Sequence, residues 1–289
     1  MNDMVIRMRV MILVVAFVCA VGVWLLPAGL VFEKQSPYLQ VHFLDVGQGD
    51  AIFIETPSGV QVLVDGGPDA SVLSVLAREM SFFDRTIDVL VGTHPDKDHI
   101  GGLIDVLKRY KIKNILTTEN KGDTSTASLY NRLKTTEGAE VWYARGGQEI
   151  ALDASTTVRI LFPDSDPTEM ESNTSSIVAQ LIYGSTTFLL TGDSPKNIEE
   201  YLTTTHGERL KSTVLKVGHH GSRTSTSELF LDAVQPQFAI VTAKKDSRYG
   251  HPHVEVTDLL FNKRIEMLET SKEGSITFLS DGKKVWKER

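Results

Sequence analysis

Cysteine is all but missing from this chain. The only one, Cys19, sits inside an apolar run near the N-terminus. No internal disulfide can form and no thiolate can ligate a metal, so any metal site must draw on His, Asp, Glu or Asn. Positive charge is also scarce: 30 Lys and Arg stand against 37 Asp and Glu, a formal net charge of −7. That excludes a generally basic coat for nucleic acid and leaves room only for a local basic patch. There is no repeat of solenoid period and no low-complexity tract. Beyond residue 32 no uncharged stretch is long enough to cross a bilayer. What is present is 289 residues, 41% of them apolar, enough for one large domain with a substantial core and an appendage.

The appendage is N-terminal. Val10 to Phe32 is 23 residues without a charge, and Arg7 and Arg9 precede it. A run of that length spans a bilayer as a helix, and positive flanks prefer the cytoplasm. The reading is a cytoplasmic stub at 1–9, a transmembrane anchor at 10–32, a linker at 33–37 and a domain at 38–289 on the outer side of the cell membrane. The rival is a cleaved signal segment and a secreted domain. The run is long for such a segment, and no small-x-small site follows it.

From Tyr38 the pattern becomes strand-like, with Leu39, Val41 and Phe43 alternating with polar neighbours. Ala51 to Glu55 and Val60 to Val64 follow across a Pro57-Ser58-Gly59 turn. A helix over 69–82, a buried strand over 87–92, a helix over 101–110, a strand over 112–116 and a helix over 126–136 come next. Short strands are expected over 141–143, 149–152 and 157–161. A second half repeats the order: a hairpin of 177–183 and 186–190, a helix from Pro195 to about Thr205, and strands at 214–217, 238–241 and 265–268 between helical stretches. A hairpin over Asp281-Gly282 closes the chain. Strands first and strand–helix units after, twice, describe an α/β layered domain with mixed sheets inside and helices outside.

The densest chemistry is His94-Pro95-Asp96-Lys97-Asp98-His99, with four potential ligands in six residues directly after a buried strand. Gly101-Gly102 lets the next helix start close by. Imidazole with carboxylate suits zinc, manganese or iron(II). A second segment, Phe188 to Asp193, is an apolar strand ending in one carboxylate. Alone, its Thr-Gly-Asp is a weak motif that reads more readily as a turn or helix cap. Gly218-His219-His220-Gly221-Ser222 and Tyr249-Gly250-His251-Pro252-His253 complete the set. Six of the eight histidines fall in loops after expected strands, where sites form in α/β sheets. His42 and His206 read as structural, as do Asp45 and Asp50.

These motifs, with Phe43 to Ala51, Leu63-Val64-Asp65-Gly66-Gly67 and Ser172-Asn173-Thr174-Ser175-Ser176, resemble the metallo-β-lactamase superfamily. More narrowly they resemble the extracellular hydrolase domain of ComEC, the DNA-uptake channel protein of competence. The resemblance covers nearly all of 38–289 and implies a four-layer αββα sandwich. It also implies two divalent ions, zinc or manganese. His94, Asp96 and Asp193 would hold one; Asp98, His99, Asp193 and His219 would hold the other. Asn173 stands where many relatives carry histidine. His220 and Asp65 would support the metal loop, or serve as further ligands. Asp98 would orient the nucleophile, and His251 would bind a substrate oxygen or protonate the leaving group.

Lys216, Arg223, Lys244 and Arg248 stand out on an acidic chain and form a candidate basic rim for substrate, although an ordinary solvated face has the same composition. The leading expectation is a phosphodiesterase acting on DNA outside the cytoplasm. A hydrolase of another ester (phosphocholine, lactone or lactam) is the alternative, and a non-catalytic binding module is a third.

Overall fold

A computed structural model describes residues 36–288 together with Met11, Val14 and Val15. The transmembrane reading of 10–32 falls almost wholly outside the described residues. Among the described residues no helix is long and apolar enough to cross a membrane.

Residues 36–289 form one compact unit built on two sheets. The first contains β1 (Leu39–Phe43), β2 (Ile52–Glu55), β3 (Gln61–Val64), β4 (Thr86–Gly92), β5 (Lys111–Thr117) and β6 (Glu140–Tyr143). The second contains β7 (Glu149–Ala151), β8 (Thr156–Phe162), β9 (Val178–Tyr183), β10 (Thr186–Leu190), β11 (Val214–Lys216), β12 (Phe238–Val241) and β13 (Glu266–Glu269). The closing hairpin of β14 (Ile276–Ser280) and β15 (Val285–Lys287) returns to the first sheet. The strand orders are β15-β14-β1-β2-β3-β4-β5-β6 and β13-β12-β11-β10-β9-β8-β7.

Period-2 alternation assigns each side chain to a layer. Ile52 and Ile54 face the space between the sheets, and Phe53 points to the helices. Outside the first sheet lie α1 (Ser71–Glu79), α2 (Lys97–Ile100), α3 (Leu103–Leu107) and α4 (Ser125–Thr136). Outside the second lie α5 (Lys196–His206), α6 (Glu228–Val234), α7 (Val254–Asn262) and the short α8 (Thr270–Glu273). Three apolar clusters result, one between the sheets and one under each helical layer. This is the expected αββα sandwich. The helix expected over 101–110 begins earlier and is broken, because Lys97–Ile100 already winds as α2 before Leu103–Leu107 resumes as α3.

Strand direction places the site. β3, β4, β5 and β6 run parallel, as do β10, β11, β12 and β13. Their C-terminal ends deliver Asp65, His94, Asp193, Gly218 and Thr242 to one pole of the sandwich. The loops there are packed backbone to backbone. A Cβ added at Gly102 would lie 1.9 Å from the carbonyl oxygen of Gly66. Gly102→Ala is therefore expected to cost about 1–3 kcal/mol through overpacking, read as a lowered urea midpoint; an unchanged midpoint would show that the two loops separate freely.

Candidate metal centre

Three buried imidazoles meet at this pole, and the atoms behind each one set its tautomer. His99 Nδ1 is 2.7 Å from Asp65 Oδ2; a carboxylate can only accept, so Nδ1 carries the proton. Thr93 Oγ1 gives its single proton to the same Oδ2 at 2.6 Å. The 3.0 Å contact between Thr93 Oγ1 and His94 Nδ1 must then be donated by the ring. His220 Nδ1 lies 3.5 Å from Asp50 Oδ1 and 3.5 Å from Thr242 Oγ1, and Thr242 donates to that same Asp50 oxygen. In each ring Nδ1 is occupied from behind and Nε2 faces the centre.

All three Nε2 atoms are buried without a hydrogen-bond partner, as are Asp193 Oδ1 and Asn173 Oδ1. Close approaches exist without hydrogen-bond alignment: His99 Nε2 to Asp193 Oδ1 at 3.3 Å, His220 Nε2 to Asp193 Oδ2 at 3.4 Å and His220 Nε2 to Asp98 Oδ2 at 3.5 Å. Leaving one buried polar atom unmade costs about 1–3 kcal/mol. Several aimed at one point fit a cation. The ligating atoms of His94, His99 and Asp193 lie within 4.8 Å of one another, and so do those of Asp98, His99 and His220. The sets overlap at His99, so they are halves of one centre. The donor chemistry, imidazole with carboxylate and no thiolate, suits a divalent ion.

Asp193 reaches this position because β10 ends at Leu190 and Gly192 turns with φ +52°. Its backbone N–H donates to Ser176 Oγ at 3.1 Å. Ser172 Oγ donates to Asp96 Oδ1 at 2.6 Å, which brings the Asn173 segment beside Asp96. Asp96 Oδ2 stands 3.8 Å from His94 Nε2.

The sequence expectations are met unevenly. His94, Asp96, Asp98, His99 and Asp193 come together. Of the two roles expected for His220, support of the metal loop or further ligand, its position suits the second. His219 and His220 both adopt left-handed backbone, φ 47° and 55°, and that turn buries His220 with its Nε2 in the centre. His219 stays at the edge, its side chain 26% exposed and its Nε2 3.7 Å from Asp193 Oδ2. Lys216 is corrected, since it is wholly buried and cannot belong to a substrate rim. Its Nζ sits 2.5 Å from Asp50 Oδ2, 3.0 Å from the Gly192 carbonyl and 3.6 Å from Asp193 Oδ1. Arg223 is exposed and pairs with Glu255 at 3.4 Å. Lys244 and Arg248 border a depression beside Asp98.

Asp50, read as merely structural, is the acceptor that joins His220, Thr242 and Lys216. The signal was Gly49: its φ is +133°, and a Cβ there would fall 2.1 Å from the Asp98 carbonyl oxygen. Only glycine lets Asp50 arrive at that depth.

Burial alone would lower the His99 imidazolium, but Asp193 and Asp65 outweigh it and hold its pKa well above the usual value. His220 behaves alike through Asp193, Asp50 and Asp98. Burial would raise the Asp193 carboxyl, yet His220 and His99 hold it well below its usual range. His94 is pushed down to about 3 by burial and then by His99. His251 is pushed down to about 4 by burial, then by His220 and His219. His251 is thus neutral near pH 7, with its Nδ1 buried and unpartnered.

A family model for the metallo-β-lactamase superfamily matches residues 44–242. The chain belongs to the metallo-β-lactamase superfamily. Among curated proteins it is 30% identical over 284 residues to ComE operon protein 3 of Bacillus subtilis, covering 92% of this chain and 36% of that protein. It is 30% identical over 275 residues to Recombination protein 2 of Haemophilus influenzae, covering 91% and 32% respectively. Competence protein ComA of Neisseria gonorrhoeae is 28% identical, with 92% and 38% covered. The chain thus spans about a third of the length of these relatives. Among solved structures, the diiron β-hydroxylase CmlA of Streptomyces venezuelae superposes with a TM-score of 0.53 at 17% identity, over 80% of this chain and 52% of that one. Zinc-bound PqqB of Methylobacterium extorquens gives 0.52 at 10% identity, over 80% and 87%. Those two likenesses establish the fold. The superfamily membership and the buried His/Asp clusters together make this a metal-dependent hydrolase of that fold.

Two outcomes are expected. Asp65→Asn should weaken divalent-ion affinity about 10- to 100-fold, the usual effect of losing a partner that orients a ligand; chelator competition measures it, and full affinity in the variant would remove Asp65 from that role. In the metal-stripped protein, the raised imidazoles His99 and His220 contribute stability that is present below about pH 6.5 and lost as pH rises through their folded values. Asp193, being depressed, contributes stability that is present above 3.8 and lost as pH falls through its folded value. Metal uptake must release the imidazole protons, so thermal stability with EDTA should fall toward alkaline pH while that with bound metal rises.

Proposed function

We propose that this chain is a phosphodiesterase that hydrolyses DNA by two-metal activation of water. The observation that carries the reading is the set of three imidazoles held through Nδ1, each with an unpartnered Nε2 turned to the carboxylates of Asp96, Asp98 and Asp193. His94, Asp96, Asn173 and Asp193 would hold one ion. Asp98, His99, His220 and Asp193 would hold the other, with His219 at its edge. Two such ions supply a nucleophilic water near neutral pH and take up charge on the phosphoryl oxygens.

The chain's own groups do the rest. Asp193, with Oδ1 3.3 Å from His99 Nε2 and Oδ2 3.4 Å from His220 Nε2, is the carboxylate both ions would share. Asp98, one-third exposed at its side chain, is open enough to accept a proton from the attacking water and orient it. His251, 5.6 Å from His219 between ring centroids, borders the centre as a neutral imidazole suited to hydrogen-bond a substrate oxygen. Lys244 and Arg248 lie on the approach and would attract a polyanion. The similarity to competence and recombination proteins supports nucleic acid over a lactam, lactone or phosphocholine ester. The uncharged run at 10–32 behind Arg7 and Arg9 supports anchoring in the cell membrane with this domain outside.

The test is cleavage of DNA by the full chain with manganese or zinc. His99→Ala and Asp193→Asn should each lower turnover by more than the roughly 10- to 100-fold typical of losing an outer partner, with circular dichroism unchanged. Near-normal turnover in either variant, or ester hydrolysis with intact DNA, would refute the proposal.

A further inference from the structure

A depression of about 600 Å³ opens beside Asp98, and none of the three buried imidazoles lines it. It is far larger than a scissile group needs and falls in the range of ligand sites. Three cations border it: Lys97, Lys244 and Arg248. Among the described residues none of the three forms an ion pair within 4 Å, although Lys97 lies close enough to Asp69 to lower its carboxyl and Arg248 lies over the Tyr249 ring at 4.7 Å. Gln48 also lines it. Its Oε1 accepts from Ser247 Oγ at 2.9 Å, which fixes the amide, and its Nε2 is buried with no partner. Two further carboxylates border the space. Asp69 is turned to the backbone N–H of Ser71 at 2.9 Å, and Asp246 lies on the outer loop. An oriented N–H without an acceptor, beside three cations that form no ion pair among the described residues, fits an anionic oxygen acceptor.

We propose that this depression is a subsite for the phosphate adjoining the scissile one, held by Gln48 Nε2, Lys97, Lys244 and Arg248. The preferred substrate is then a strand of consecutive phosphodiesters rather than an isolated ester. This rests on the phosphodiesterase reading and adds to it a requirement on the length of the substrate.

Two measurements on the full chain test it. Binding of fluorescein-labelled oligothymidylate to metal-stripped protein, followed by anisotropy across salt concentrations, counts phosphate contacts. Lys97→Ala and Lys244→Ala should each reduce the slope of log K against log salt by about 0.7, the value per phosphate for single strands. With metal restored, Gln48→Glu should lower the ratio of kcat/KM for oligothymidylate to that for bis(p-nitrophenyl) phosphate by about tenfold or more, since a carboxylate would face the phosphate in place of a donor. Gln48→Ala serves if the Glu variant does not fold, and should move the ratio in the same direction. If both diesters are cut but slopes and ratio stay at wild-type values, the subsite is overturned and the phosphodiesterase reading stands. If neither diester is cut and no oligothymidylate binds, that reading falls and the subsite with it.

Discussion

Two buried carboxylates standing behind the histidines hold the centre in shape. Asp65 accepts hydrogen bonds from His99 Nδ1, Thr93 Oγ1 and the Thr93 backbone N–H at 2.6–2.9 Å. Asp50 faces His220 and accepts from Thr242 and Lys216. A metal-ligating imidazole needs a neutral Nε2 and a fixed ring plane, and an acceptor on Nδ1 provides both. Without these carboxylates each ring could rotate or change tautomer, and no aimed set of lone pairs would survive. The glycines of the motif loops, Gly49 and Gly102 above all, allow backbone to approach backbone closely enough for the acceptors to sit directly beneath the rings.

Lys216 shows how the fold tolerates so much buried negative charge. Asp50, Asp65 and Asp193 are each no more than 2% exposed, and Lys216 lies among them at 0%. An unpaired buried charge is severely unfavourable, while a paired one with further hydrogen bonds is tolerable. The ammonium meets that condition: it contacts Asp50, the Gly192 carbonyl and Asp193 together. It therefore acts as an internal counter-ion on the inner side of the centre, while the outer side is left to metal and substrate. The cations at the outer depression have no comparable partners, which separates the two uses of lysine in one small region.

The topology supplies the rest. Parallel strands on both sheets end at one pole, so loops from both halves of the chain bring His94, Asp193 and His220 together. Three apolar layers make that pole rigid, because each strand is fixed by alternate side chains packed in opposite directions.

Much of this was legible in the sequence. Period-2 alternation and glycine-rich turns marked the strands. Four ligands in six residues after a buried strand marked the centre, and the absence of usable cysteine restricted its chemistry to nitrogen and oxygen. Residue type and spacing suffice there because short loops after strands have few conformations. Three matters were decided only in three dimensions. Which of His219 and His220 turns inward depends on two consecutive left-handed residues, a backbone state that side-chain pattern does not report. Lys216 reads as a surface cation beside a motif, yet strand pairing on both sides of β11 buries it against Asp50, 166 positions earlier in the chain. Gln48 reads as one polar residue in a glycine-rich turn, and its unpartnered amide becomes visible only when Ser247 arrives from the other half of the chain. Local chemistry is written along the sequence, whereas burial and partnership are properties of contacts between distant segments.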